Sequence, residues 1–492
     1  MKSPYFIYGE RKSAKPEPAA PAREARPMVS LPPLPTIAGA VMVTPSHPDY
    51  GALNVAHNKR NYLQPPVQPA LRIMCTSTQA VADSVNWVRN NNLPLALRSG
   101  GHCYEGFSQS GGVVIDVRRM GLVTVDTATQ TVTVSAGASL WKIYSAVAAA
   151  GFAFAGGSCP TVGIAGHALG GGMGLLGRRY GLACDNMLGV RLVKADGSIV
   201  EADASNAPDI YWASRGGGGG SFGVATRFRF KIHPLTHVKT FTMTWNFANT
   251  SAELAKARKV FNAWQNWAPN APNDITAIMT VQRVAGNKLR LRCIGQTTAS
   301  GGTNTALLAQ LANLTSISTP ASGPAIVKRT FIGAVTAFAG GLDYETIYMD
   351  AKSDFVLNPL STAAINQLFA SIMSWPAGNV AALCDAYGGA IAQLAPNATA
   401  FPYRAPGTYS IQYYSRWTSG ADSPTRLARL AQVYASMAPF RPASAPAYVN
   451  YCDTGLGASY ATSYWAGNVT QLHTAKLALD PGNLFQHGQS VT

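Results

Sequence analysis

The sequence is short of acid. It carries 23 Asp+Glu against 39 Lys+Arg in 492 residues, a formal net charge of +16, yet charged residues are only 13% of the chain. A nucleic-acid reader gathers its basic residues into a patch or stripe, and no window here holds five or six of them together. The excess therefore reads as a scattered basic surface, and nucleic acid is not an expected partner. Apolar runs are short as well. The run at 146–157 falls below the roughly 18 residues that cross a bilayer, so no membrane partner is expected. There are 7 cysteines and no CxxC pair, which excludes a disulfide scaffold and a zinc ribbon. HExxH is absent too, so no metal is expected. Low disulfide potential and no basic-then-apolar leader near Met1 make the cytoplasm the expected compartment, with a secreted or periplasmic protein as the alternative. What the chain has is core: 47% of residues are hydrophobic, which excludes a disordered chain.

Residues 1 to about 40 read as a flexible tail rich in Pro and Ala. After that the texture is mixed α and β. Residues 71–75 read as a strand, and 78–91 as a helix with Val81, Val85 and Val88 on one face. Further strands follow at 93–97, 113–117 and 130–134, with a helix at 140–150. A strand is expected at 224–232. Near Pro234 the pattern changes to longer alternating strands, such as 277–284 and 289–294, with helices at 252–267 and 424–437. That is a separate α+β unit reaching about Phe440.

Glycine is concentrated at 156–181 and again at 216–220. Rows of glycine amides form nests for phosphate oxygens. Two stretches match GxGxxG, 172–177 and 218–223. Neither follows a strand within a βαβ unit, which a Rossmann fingerprint requires. Each alone reads equally well as tight backbone packing.

Order is more specific than any one loop. Arg98-Ser99-Gly100-Gly101-His102-Cys103-Tyr104 follows a strand, and Gly157-Ser158-Cys159-Pro160 comes later. Then come Gly166-His167, the run Gly170-Gly171-Gly172, and Tyr448-Val449-Asn450-Tyr451-Cys452-Asp453. The end carries Asp480-Pro481-Gly482-Asn483-Leu484-Phe485. Over about residues 45–492 this order resembles the berberine-bridge-enzyme-like branch of the vanillyl-alcohol oxidase superfamily.

The resemblance implies an α+β fold: a two-part FAD-binding domain at 41–235 and 441–492, with an α+β substrate-binding cap inserted at 236–440. It implies FAD held by two covalent bonds, from His102 to the flavin 8α-methyl carbon and from Cys159 to its C6. It places Arg98, Ser99, Gly100, Gly101, Tyr104, Val162, Gly163, Gly166, His167, Gly170, Gly171, Gly172 and Asn450 around the cofactor. Ser99, Gly100 and Gly101 would offer amides to the pyrophosphate, and Val162 matches a position that gates oxygen.

For the reaction, the resemblance implies hydride transfer from a hydroxyl-bearing carbon to flavin N5. Reoxidation by O₂ would then give H₂O₂. Tyr451 matches the base, and Tyr448 is the second choice. Asp385 matches an aspartate thought to assist the tyrosine through a hydrogen bond. Gln412 matches a polar site residue of the cap. A tyrosine free in solution titrates near ~10, so it needs a lowered pKa or a proton relay to act as a base. Met173 stands where many relatives have tyrosine. The stretch 380–383 carries no ring for stacking on a sugar, which favours a more apolar substrate. A carbohydrate or a hydroxylated natural product is the expected small-molecule partner, with O₂ as acceptor. Oxidative ring closure in secondary metabolism, or a flavin-containing protein that sequesters ligands, are the alternatives.

Overall fold

A computed structural model of the chain describes residues 29–63, 67–339, 342 and 345–492. Of the expected tail, 1–28 lies outside the described residues. The rest of it does not behave as a tail. Ile37 is buried, and Val29 and Leu31 pack against the same core, because these apolar side chains have a hydrophobic surface to cover.

Two larger sheets, with a short antiparallel pair of Phe152–Ala153 and His233–Pro234, make the first unit. Ala40–Val43, Leu71–Cys75, Val113–Asp116 and Leu95–Arg98 form a four-stranded sheet in that spatial order. Its last three strands run parallel. Leu71–Cys75 is buried at every residue, as parallel strands covered on both faces are. The crossover between Leu71–Cys75 and Leu95–Arg98 is the helix Thr78–Asn90, which buries Val81, Val85 and Val88 as its spacing requires. Ser77 caps this helix by accepting a hydrogen bond from the Ala80 N–H.

The second sheet is antiparallel, in the order Val123–Asp126, Thr131–Ser135, Val224–Lys231, Met187–Val193 and Ile199–Ala202. The helix Leu140–Ala149, capped by Ser139, buries Ile143, Tyr144 and Val147 in the core shared by both sheets.

From His237 to Trp417 the chain builds a seven-stranded antiparallel sheet. One face is covered by the helices Ser251–Trp267, Thr305–Thr315, Thr362–Met373 and Ser423–Ser436. Period-2 alternation sends Ala382, Cys384 and Ala386 to that helical side. Ala381 and Leu383 pack with Tyr414 on the opposite face. That opposite face looks toward the first unit. The helix Phe331–Ala339 leaves the sheet, and its Phe331 is buried in the first unit's core.

Among the described residues no helix is long and apolar enough to cross a membrane.

Candidate active site

A cavity of about 410 Å³ lies between the first unit and the open face of the seven-stranded sheet. Its first wall is the loop after the strand Leu95–Arg98. A β-carbon on Gly100 would lie 2.3 Å from the Gly163 nitrogen, so two backbones meet where only glycine fits. The Ser99 hydroxyl donates to the Ala136 carbonyl at 2.7 Å. The Arg98 guanidinium is buried beneath Gly101, 3.8 Å from Asp116, and donates to the Val55 carbonyl. It props the loop from below. Asp116 also pairs with Arg72 at 2.9 Å and Arg118 at 2.8 Å. Three guanidinium groups around one carboxylate leave an excess of positive charge under the loop, a field that favours an anion such as a pyrophosphate.

His102 and Cys159 meet on this wall. Thr161 Oγ1 lies 3.1 Å from His102 Nε2 and 3.7 Å from Cys159 Sγ. The His102 ring stacks on His57, with centroids 4.4 Å apart. Burial, and then the neighbouring His57, hold the His102 pKa well below its ordinary value. The imidazole is therefore neutral and nucleophilic. Burial raises the Cys159 thiol, while the Thr161 hydroxyl works against that rise. Val162, Gly163 and Gly166 continue the wall. A β-carbon at Gly166 would meet nothing within 4 Å, which leaves open space beside the backbone for a flat ring.

The glycine run behaves differently from expectation. Gly170, Gly171 and Gly172 do not line the cavity; they let protein segments approach one another. A β-carbon on Gly170 would sit 2.1 Å from Asn450 Oδ1, one on Gly171 3.2 Å from Phe401, and one on Gly172 2.6 Å from Ala183. His167 does line the cavity, but its Nε2 accepts the Gly157 N–H at 3.0 Å, and burial lowers its pKa to about 4. It is a neutral acceptor that pins the neighbouring loop.

The tyrosine segment is not a strand. Val449–Tyr451 is a short 3-10 helix, so Tyr448 and Tyr451 do not point to alternate sides of a sheet. The Tyr448 oxygen accepts three N–H groups: Gly172 at 2.9 Å, Met173 at 3.3 Å and Asn450 Nδ2 at 3.0 Å. Asn450 also donates to the His167 carbonyl at 3.0 Å. The bond from position 173 thus comes from backbone, and the Met173 side chain is not needed for it. Burial raises Tyr448 to about 12, against the pull of these donors. The Tyr451 ring stacks parallel to Tyr104 at 5.7 Å and edge-on to Tyr448 at 4.9 Å. Burial, and next the Asp385 charge, hold Tyr451 far above the ordinary tyrosine value.

The cap supplies the opposite wall. Asp385 lies in the strand Val380–Ala386, and the residue is 9% exposed. It pairs across the sheet with Ile278 on one side and Ser410 on the other. Burial alone raises it to about 7. The expected Asp385–Tyr451 hydrogen bond is absent among the described residues; the two groups face the cavity and couple through charge. Gln412 sits opposite Leu383 in the next strand and donates to the Tyr104 hydroxyl at 3.0 Å. That bond joins the cap to the first unit at Tyr104, one of the two stacked rings. Position 380–383 brings only Leu383 to the cavity, and the aromatic surface there comes from Tyr414. Sequence reading missed Thr161, Tyr414 and His57. Only the TxG spacing after Cys-Pro offered a signal, and it pointed to Val162.

A glycine-built cradle over buried guanidinium groups, with a neutral imidazole and a thiol on one wall, fits a flavin dinucleotide. Known proteins decide the family. Residues 69–203 match the family model for the FAD binding domain, and 447–492 match that of berberine and berberine like proteins. The FAD-linked oxidoreductase YgaK of Bacillus subtilis is 32% identical over 456 residues, covering 92% of this chain and 96% of the relative. This chain belongs to the berberine-bridge-enzyme-like FAD-linked oxidoreductases. A monolignol oxidoreductase of this family from Arabidopsis thaliana is 30% identical, covering 81% of this chain and 79% of its own. The solved berberine bridge enzyme of Eschscholzia californica superposes with a TM-score of 0.84 at 26% identity, covering 92% of this chain and 97% of that one. As a member of the family, the chain is an FAD-binding oxidoreductase of the berberine-bridge-like fold.

Proposed function

We propose that the chain is an alcohol oxidase whose FAD is bonded to both His102 and Cys159. The observation that carries this reading is Thr161, which touches His102 Nε2 at 3.1 Å and Cys159 Sγ at 3.7 Å. A histidine and a cysteine gathered by one hydroxyl would hold a single flavin between them. FAD, when bound, would supply the redox chemistry, as acceptor of a hydride from the substrate carbon and donor of its electrons to O₂, with H₂O₂ as product.

The chain's own groups bind the substrate and move its proton. Leu383 and Tyr414 form an apolar, aromatic wall, which supports a largely apolar alcohol such as a hydroxylated aromatic natural product. The monolignol oxidoreductase among the relatives agrees with that class. Tyr451 Oη accepts the substrate hydroxyl proton while its own proton passes through water to Asp385. A phenol far above its ordinary pKa does not store charge, so the relay ends on the carboxylate, which titrates at about 7. Gln412 and Tyr104 fix the Tyr451 ring by hydrogen bond and stacking. Tyr448, with its oxygen already occupied by three donors, positions the segment.

The test is acid denaturation of purified protein, ultrafiltration, and measurement of flavin absorbance and intact mass. The flavin should stay with the chain, and His102→Ala and Cys159→Ala should each retain one bond. Aromatic primary alcohols should then give peroxide in air. Loss of all colour into the filtrate would end the two-bond reading. Retained colour without peroxide from any alcohol would end the oxidase reading.

A further inference from the structure

Outside the proposed reaction, the cavity wall holds a second reactive pair. All seven cysteines are thiols, and one thiol–thiol contact occurs among the described residues. Cys103 Sγ and Cys452 Sγ are 3.7 Å apart, although 349 positions separate them in sequence. Cys103 follows His102 on the loop after Leu95–Arg98, and Cys452 ends the short helix that carries Tyr451. Both line the cavity. We propose that Cys103 and Cys452 form a peroxide-sensitive dithiol that closes into a disulfide, cross-linking the loop after Leu95–Arg98 to the tyrosine segment at the active-site wall.

The two sulfurs are unequal, which assigns their roles. Cys103 Sγ accepts the Phe107 N–H at 3.3 Å in addition to facing Cys452. The Cys452 thiol, then burial opposed by the Phe107 N–H, sets the Cys103 pKa, and the balance lowers it. Cys452 shifts upward, for the same contact and for burial. Cys103, whose sulfur accepts the Phe107 N–H, is the sulfur that attacks, and Cys452, which faces it, is the one that resolves. In the first step the Cys103 sulfur attacks H₂O₂. An S–O bond forms, the O–O bond breaks, and the departing hydroxide is protonated to water. In the second step the Cys452 sulfur displaces that oxygen. An S–S bond forms, the S–O bond breaks, and the Cys452 proton leaves with the oxygen as water. The net change is two thiols and one peroxide to one disulfide and two waters, with the sulfurs oxidised and the peroxide reduced.

Closure asks the sulfurs to move from 3.7 Å to a bond of about 2.05 Å. The bond would join residues that flank the Tyr104–Tyr451 stack. It therefore fixes the relative position of the flavin-binding loop and the tyrosine segment. The chemistry holds whether or not the chain makes peroxide itself, so its test uses added peroxide.

The experiment treats purified holoprotein with a small molar excess of H₂O₂. Catalase then removes the excess, remaining thiols are alkylated, and peptides are mapped without reductant. The expected product is a peptide pair linked through Cys103 and Cys452 that vanishes with dithiothreitol. Intact mass should fall by two hydrogens, and the melting temperature should rise by several degrees and return on reduction. In Cys452→Ser, Cys103 should stop at sulfenic acid and be captured by dimedone. Recovery of both residues alkylated after peroxide overturns the proposal. So does conversion of Cys103 to sulfinic acid while Cys452 remains a thiol. The wild-type map decides the matter even if the serine variant fails to fold.

Discussion

Tyr451 and Asp385 share one proton in the proposed reaction, and they titrate in different ranges. Tyr451→Phe removes the phenolic oxygen and keeps the ring that stacks on Tyr104. The rate of flavin reduction should fall by about a hundredfold or more, the usual contribution of general base catalysis, with the flavin still attached. Stopped-flow absorbance under anaerobic conditions measures it, and reduction at the wild-type rate would remove Tyr451 from the base role. Tyr448→Phe should instead loosen the segment, since three donors lose their acceptor. Asp385 makes a pH prediction with a defined sign. Its pKa is raised by burial to about 7 from 3.8, so the folded state binds more protons than the unfolded one across that interval. Stability therefore falls as pH rises through that window, while the rate rises as the carboxylate ionises. Asp385→Asn should flatten the rate limb near pH 7 and raise the melting temperature at alkaline pH. Asp350, also raised to about 7 chiefly by burial, contributes its own slope, so the difference between wild type and variant isolates Asp385. A rate limb unchanged in Asp385→Asn would assign the proton to another group. These residues were legible in sequence only through motif order. Nothing in the spacing of Tyr448 and Tyr451 said which oxygen would be occupied, because the occupying donors lie at 172 and 173, on another element.

At the scale of elements, the glycine run 170–172 is a packing joint. Gly170 has an ordinary backbone, with φ −99°, as the cap of the helix Ile164–Leu169. Alanine there is strained only by contact, since its β-carbon would lie 2.1 Å from Asn450 Oδ1. Gly170→Ala should displace Asn450 from the His167 carbonyl and the Tyr448 hydroxyl. A loss of about 1–3 kcal/mol is expected for stranding such buried groups, read by denaturant unfolding. Asn450→Ala should cost a similar amount, and the double variant should cost less than the sum because both changes break one joint. Additive losses would mean that the two positions act separately. The strands and helices themselves were legible. Leu71–Cys75 coincides with the expected strand, and the expected helices at 78–91 and 252–267 differ at the ends by a residue. Apolar period and side-chain caps are local signals, and they carry that far. The glycine run misled because glycine spacing reports close approach without naming what approaches. In this fold the neighbours are Asn450, Phe401 and Ala183, between 11 and 280 positions away.

At the scale of the whole molecule, the open face of the cap sheet must be held against the first unit for the cavity to exist. One side chain does much of this. Arg178, in the helix Gly177–Tyr180 of the first unit, is fully buried. Its guanidinium donates to the Ile275 carbonyl at 2.8 Å and to the Pro269 carbonyl at 2.5 Å, and also to the carbonyls of Ala271 and Tyr387. All four acceptors belong to the cap. Burial lowers its pKa to about 10, with Asp274 opposing, so the group stays charged at neutral pH. Arg178→Met fills similar volume but leaves four buried carbonyls without a donor. Each such group costs about 1–3 kcal/mol, so a loss of roughly 4 kcal/mol or more is expected. Arg178→Lys should recover little of it, because an ammonium is a point donor and cannot span carbonyls arranged for a planar fork. Thermal unfolding followed by circular dichroism and by flavin fluorescence checks this. Both probes should shift down together, since the cavity is formed between the two units. A flavin-fluorescence transition that moves while circular dichroism stays unchanged would instead mean that Arg178 serves the cofactor site alone. The scattered basic surface and the buried guanidinium groups thus have different causes. The first reflects scarcity of acid, and the second joins two units through backbone oxygens that no sequence pattern displays.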